Sequence, residues 1–422
     1  MKAILVFILI LTIFSSCNKK INQNRKTPNV SPSNTQATIG NSEFVNLKVA
    51  QNNNIFAFDL FKKVKEENKN LFFSPYSISA ALAMTYAGAR NETEMEMSKT
   101  LKFSLDKNNF HRSFKMMSDT LVENAKTKGV EINIANSLWA QKDYSFLDEY
   151  YDLTKKYYNS GFKYVDFIHQ SEKARKTINK WVEKKTEEMI PDLLAEGTIT
   201  DETRLVLVNA IYFYGIWDEA FKKKLTKKSI FYLTKEKNKE VDFMNLYRKQ
   251  IQYYENNLIQ AIELPYAGKN ISMMILLPKE RNGIQKLEKY LSNSNYENWS
   301  NSLEERKVNV SLPKFEMESS YDLANILGEL GMPLAFTDMA DFSGMTGKKD
   351  LKISKVIHKA VIEVSEKGTE AAASTAVTMI ETTSLISEKK VIFNANHPFI
   401  VIIRDKKTEA ILFLGKVFDP EA

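Results

Sequence analysis

Ala57, Leu60, Phe61 and Val64 recur at the spacing of one helical face, so the folded part of the chain opens with an amphipathic helix. A second helix is predicted within NLFFSPYSISAALAMTYAGA (70–89). Ser74 is placed to cap it, Pro75 suits the first helical position, and Gly88 ends it. Ile78, Ala81, Leu82 and Thr85 line one of its faces. Asn91 with Glu94 has the form of a capping box for another short helix. Residues 110–128 predict a helix with a basic edge made of His111, Arg112 and Lys115, read as a solvated face rather than a polyanion site.

From residue 130 the period shortens. VEINIANSLWA (130–140) alternates, and TRLVLVNAIYFYGIW (203–217) is a long apolar run suited to a strand buried on both faces. IQAIELPYAGKNISMMILLP (259–278) reads as a hairpin turning at Ala267–Asn270. VNVSLPKF alternates from Val308, and KVIHKAVIEV (355–364) puts His358, Ala360, Ile362 and Val364 on one face. HPFIVIIRDKKTEAILFLGKV (397–417) is a second hairpin, turning near Asp405–Thr408. Helices come early and strands late, which predicts an α+β fold rather than a regular βαβ alternation.

Composition changes the picture mainly at the ends. A chain of 422 residues that is 43% hydrophobic can bury a sizeable core, and residues 45–422 read as one large domain. The net charge of +7 comes from interspersed basic and acidic residues, with no basic run interleaved with aromatics, so no nucleic-acid partner is expected. Lys2 and the apolar run Ala3–Phe14 are too short to span a bilayer and fit a signal peptide over residues 1–17. Its end, IFSSC, resembles a bacterial lipobox, in which Cys17 would be exposed by cleavage and acylated. Cys17 is the single cysteine, so the mature fold has no disulfide. Residues 18–44, rich in Asn, Lys, Ser, Thr and Pro, read as a disordered tether. The expectation is an exported cell-envelope lipoprotein held to a membrane through Cys17, or released from it; ordinary secretion with an incidental thiol is the alternative.

Catalytic signatures are missing. His111, His169, His358 and His397 form neither HExxH nor a zinc-type spacing, and there is no GxSxG elbow. GMTGKK (344–349) lacks the spacing of a phosphate loop. His358, on a strand face, reads as a structural imidazole. No enzyme, metal or cofactor is assigned. The unusual stretch is EKGTEAAASTAVTMIET (366–382), which follows a strand pattern and then turns small and nearly uncharged. Such a segment can be exposed in one state and threaded into a sheet in another.

These landmarks together resemble a serpin over about residues 45–420. The strings that carry the likeness are NLFFSPYSISAALAMTYAGA, LVNAIYFYGIW, ELPY, VSLPKFEMESSYDL, LGMPLAF, KVIHKAVIEVSEKGTEAAASTAV and NHPFIVIIRDKKTEAILFLGKV, in that order. With the lipobox, the chain is similar to a bacterial lipoprotein-type member. The resemblance implies three β-sheets, eight or nine helices and an exposed C-terminal reactive loop at about 366–390. It also implies a monomer that traps a target protease covalently: the loop is cut, an acyl-enzyme forms, and the loop inserts into the central sheet.

Family spacing puts the scissile bond sixteen residues after Glu366, between Thr382 and Thr383. The hinge would be Glu366, Gly368, Thr369, Glu370, Ala371, Ala372 and Ala373. Trp217 and Glu366 match the breach where insertion starts, with Lys314 as the partner of Glu366. Ser74, Ser77, Asn209 and His358 match the polar shutter beneath the sheet. Lys367 departs from the acidic residue often found in inhibitors, and the stretch from Thr383 to Phe393 is long and carries Lys389 and Lys390.

One test of insertion does not need the family name. An inserted strand buries alternate side chains, and Met379, Val377, Thr375, Ala373, Ala371 and Thr369 make an uncharged face, whereas Glu370 falls opposite. About sixteen inserted residues at ~3.3 Å each would carry an attached protease on the order of 50 Å. Thr382 suits a protease with a small specificity pocket, elastase- or subtilisin-like, with papain-like cysteine proteases as a second class. A non-inhibitory binding or scaffold protein on the same fold is the alternative reading.

Overall fold

The first helix, α1 (Thr35–Val64), ends on the apolar positions that predict it, and Ala57, Leu60, Phe61 and Val64 are all buried. The computed structural model describes residues 35–126, 129–158, 162–369 and 391–422. The chain divides into two units, residues 1–40 and 41–422. In the first, only the helical residues from Thr35 are described; they fall within the tract read as a tether, and Cys17 lies outside the described residues.

After α1 come β1 (Leu71–Phe73), α2 (Pro75–Gly88), α3 (Asn91–Leu101), α4 (Lys107–Ala125), β2 (Val130–Gln141), α5 (Asp148–Tyr158), β3 (Phe162–Val165), α6 (Phe167–Lys185) and β4 (Leu205–Ile216). Then follow β5 (Lys227–Tyr232), β6 (Asn238–Glu255), β7 (Ile259–Pro265), β8 (Ile271–Pro278), α7 (Ile284–Tyr290), α8 (Asn293–Asn301), β9 (Glu304–Pro313) and β10 (Phe315–Asp322). The chain closes with α9 (Ala324–Leu330), α10 (Ser343–Thr346), β11 (Lys355–Ser365), β12 (Gly368–Thr369), β13 (Val391–Asn394), β14 (Phe399–Asp405) and β15 (Ile411–Val417). Among the described residues no helix is long and apolar enough to cross a membrane.

α2 begins as its sequence demands: the Ser74 hydroxyl accepts the Ser77 N–H, with Pro75 in the first turn. Every residue of α2 is buried, so it is a core helix rather than an amphipathic one. Two expectations nearby fail. No capping box forms at Asn91, because Arg90 occupies the cap position in an extended conformation. Asn91 lies inside α3 at φ 53° and donates to Asp341 Oδ2, while the Glu94 carboxylate pairs with Lys107 at 2.8 Å. Nor is His111 part of a basic edge. α4 starts earlier, capped by Asp106, and its buried stripe includes Phe110, His111, Phe114 and Met117. His111 meets the Tyr158 hydroxyl at 2.5 Å, and burial pushes its imidazole down to about 3.

The six-stranded sheet has the order β10-β11-β12-β4-β2-β3. Its centre is buried on both sides, which explains the unbroken apolar run of β4. Leu205, Leu207, Ile211 and Phe213 join the main core, and Val206, Val208 and Ala210 join a second core with Phe167, Ile178 and Val182 of α6. The remaining strands form one nine-stranded array, β1-β15-β14-β8-β7-β6-β9-β13 with β5 on β6. Two of the three expected sheets therefore share a ladder. The 18-residue β6 causes this: its start pairs with β5, its end pairs with β7, and β9 runs beside it across a bulge between Leu246 and Lys249.

Candidate functional site at a parked strand and its seam

β11 and β4 run parallel and pair directly from Lys355↔Val206 to Val361↔Tyr212. Above Val361 they part, and β12 lies between them. Thr369 and Gly368 pair antiparallel with Val364 and Ser365 on one side, and with Gly215 and Ile216 on the other. The third and fourth residues after β11 thus already form a wedge at the mouth of the seam. Gly368 alone suits this place. Its φ is 144°, and an added Cβ would stand 2.0 Å from the Gly215 carbonyl oxygen and 2.5 Å from Ile216 Cα. Thr369 is fully buried and its hydroxyl meets Tyr266 OH at 3.0 Å.

A clamp of side chains holds the turn that precedes the wedge. Trp217 stacks on Tyr266 with centroids 4.6 Å apart, donates from Nε1 to the Ser365 carbonyl (3.1 Å), and donates its N–H to the Lys367 carbonyl (2.9 Å). Stacking of this kind contributes ~0.5–1.5 kcal/mol beyond area burial. The Phe221 N–H donates to the Glu366 carbonyl (2.8 Å). The Glu366 carboxylate accepts from the Thr226 hydroxyl (2.8 Å) and pairs with Lys314 Nζ (3.4 Å). Burial alone would raise this carboxyl. Its own backbone N–H, Thr226 and Lys314 outweigh that and hold it below the ordinary carboxylate value.

Lower in the seam lies a buried polar row. His358 and Asn209 are register partners across β11 and β4, and Asn136 is the partner of Asn209 on β2. Asn209 and Asn136 meet Ser77 at the start of α2, and His358 Nε2 accepts the Ser74 N–H (3.1 Å). That acceptor role puts the ring proton on Nδ1, which donates to the Asn209 side-chain oxygen. Asn209 in turn donates to Asn136. The imidazole is neutral, and burial pushes it down to about 3. The row ties three strands to α2 with its polar atoms partnered, so it costs little while the sheet is closed. Admitting a strand between β11 and β4 shifts them apart by ~4.8 Å and severs Asn209 from His358.

Seven residues singled out in the sequence thus come together in two groups: Trp217, Glu366 and Lys314 around the wedge, and Ser74, Ser77, Asn209 and His358 in the row. Gly368 and Thr369 are the wedge itself. Glu370, Ala371, Ala372, Ala373, Thr382 and Thr383 lie outside the described residues. Sequence reasoning missed Asn136, Thr226, Phe221 and Tyr266. Asn136 had a signal, since it interrupts the face Ile132, Ile134, Leu138.

The geometry defines a class: a mixed α+β protein in whose six-stranded sheet two parallel strands, β11 and β4, part above Val361 and take two residues of the same chain between them. Comparison places it further. The profile of the serpin (serine protease inhibitor) family matches residues 51–420. The chain is 43% identical to the bovine (Bos taurus) leukocyte elastase inhibitor over 87% of this chain and 98% of that protein. It is 40% identical to human (Homo sapiens) serpin B4 over 88% and 99%. Uncleaved ovalbumin superposes with a TM-score of 0.79 at 32% identity, covering 88% of this chain and 100% of the other. The chain belongs to the serpin family, and its fold is the serpin fold.

Proposed function

We propose that this protein inhibits proteases as a suicide substrate. A target cuts the segment 366–390 between Thr382 and Thr383, is held as an acyl-enzyme, and is carried away as the cut arm enters the seam between β11 and β4. The observation that supports this most is the wedge. β12 is antiparallel to both neighbours, whereas the junction it would extend into is parallel. Each inserted residue exchanges one parallel pairing for two antiparallel ones, which are the more stable kind and twice as many. Closing a reserved slot in this way releases free energy only after the arm is cut.

Kinship with a leukocyte elastase inhibitor, and Thr382 as the residue before the bond, favour a serine protease with a small specificity pocket. Incubation with a panel of serine and cysteine proteases tests the reading. An SDS-resistant complex with release of a small C-terminal fragment is expected; cleavage without a complex would overturn it. Export and a membrane anchor at Cys17 belong to the same proposal. Mass spectrometry of the mature protein should find an acylated Cys17 at its N-terminus, and an intact residue 1–17 segment would contradict it.

A further inference from the structure

β5 joins the two roots of the reactive segment. Just before it, Thr226 holds Glu366, where the segment leaves the sheet; at its end, the Tyr232 N–H donates to the Asn396 carbonyl (2.8 Å), just past β13, where it returns. Lys222, Lys223, Lys224, Lys227 and Lys228 crowd the departing root, five lysines in seven residues. All five are exposed, and none makes an ion pair among the described residues. Lys65, Lys107, Lys142 and Lys416 each reach a carboxylate, whereas none serves this group of five adjacent charges. Carboxylates near this cluster are engaged by other cations: Asp218 by Lys269, Glu219 by Lys249, Glu366 by Lys314. Asp242 stands opposite Lys228 in the ladder without pairing to it.

We propose that this unpaired lysine cluster is a docking surface for the target protease, and that the protease it fits carries a negatively charged rim beside its active-site cleft. The inference rests on the trapping function above. The segment that the protease grips is anchored at both roots, and these lysines surround the one from which it leaves the sheet. Their charges add little to the stability of the free protein, but an uncompensated field at an encounter site raises association rates ~10-fold or more at low salt. Lysines on flexible stems suit a diffuse acidic surface better than the fixed forks that clasp a phosphate. Residues 222–229 contain no aromatic ring on which a nucleobase could stack, which disfavours single-stranded nucleic acid.

The test compares the parent with a variant carrying Lys222→Gln, Lys223→Gln, Lys224→Gln, Lys227→Gln and Lys228→Gln. Association rates are measured over a salt series with two small-pocket subtilisin-like proteases, one of net negative and one of net positive charge. With the acidic protease the variant should associate about tenfold more slowly at low salt and lose most of its salt dependence. Its melting temperature and its yield of SDS-stable complex should match the parent. Equal rates for parent and variant, or an equal loss with the basic protease, would overturn the docking surface while leaving trapping intact. If the parent forms no stable complex with either protease, trapping falls and the docking surface with it.

Discussion

The two sheets are made of similar strands and assembled to opposite ends. In the nine-stranded array, β14 is antiparallel to both β15 and β8, and all seven of its residues are buried. Its charged contact is internal: Arg404 meets Glu263 at 2.6 Å, and the Glu263 side chain is 3% exposed. The seam of the six-stranded sheet is parallel, crossed by a polar row, and held at its mouth by an ion pair whose lysine is 38% exposed. In the first sheet a strand inserted beside β14 would gain nothing, since both of its ladders are already antiparallel. The other has a junction that two antiparallel ladders would improve, already entered by two residues.

Four substitutions or conditions set these regions against each other. Thr369→Arg should have the largest effect, because it drives a guanidinium into a fully buried wedge position at a cost of several kcal/mol. The yield of covalent complex should fall by at least about tenfold while the loop is cut at nearly the parent rate, read on gels. Glu263→Ala should act only on the rigid sheet. It leaves Arg404 buried and uncompensated and should cost ~3–5 kcal/mol in denaturant unfolding, with the trapped fraction unchanged.

Acid should loosen the seam through His358. Its folded value, about 3, lies below the ordinary imidazole value, so the unfolded chain binds the proton first. The stabilisation is complete above pH ~6.5 and is lost as pH falls towards the folded value, amounting to about 2 kcal/mol between pH 6.5 and 5. Buried His111 adds a loss of the same sign, so the seam's share is read as the part of the acid sensitivity removed by His358→Gln. The smallest effect should come from the latch. Since Lys314 is well exposed, a double-mutant cycle of Glu366→Gln and Lys314→Ala should give a coupling of only ~0.2–1 kcal/mol, together with faster spontaneous insertion or polymerisation. Zero coupling would remove the latch from the account.

Much of this was legible in the chain, and the gaps have physical causes. β4, β11 and the β7–β8 hairpin announce themselves because strands buried on both faces need long apolar runs or regular alternation. The family resemblance gives Gly368 as a hinge, but its pairing between β11 and β4 was not readable, since it depends on strands brought together only in the fold. Helix starts were less secure: Asn91 has the right chemistry for a cap, but Asp341, 250 residues away, draws its amide elsewhere. His111 was misread because a charged-looking side chain gives no sign of an aromatic pocket contributed by α5. The partners of Glu366 and Thr369, namely Thr226 and Tyr266, were invisible, since their roles exist only once β4 to β7 have folded against β11. The fusion of two sheets depends on the length of β6, which composition does not betray.

The proposed trap requires a slot that gains free energy when it is filled. Cutting the segment between Glu370 and Ile386 with a protease the protein does not trap, then measuring thermal unfolding, tests this most directly. The cleaved protein should melt at least ~10 °C higher than the intact one. An unchanged melting temperature after complete cleavage would mean that the seam stores nothing, and would contradict the trap.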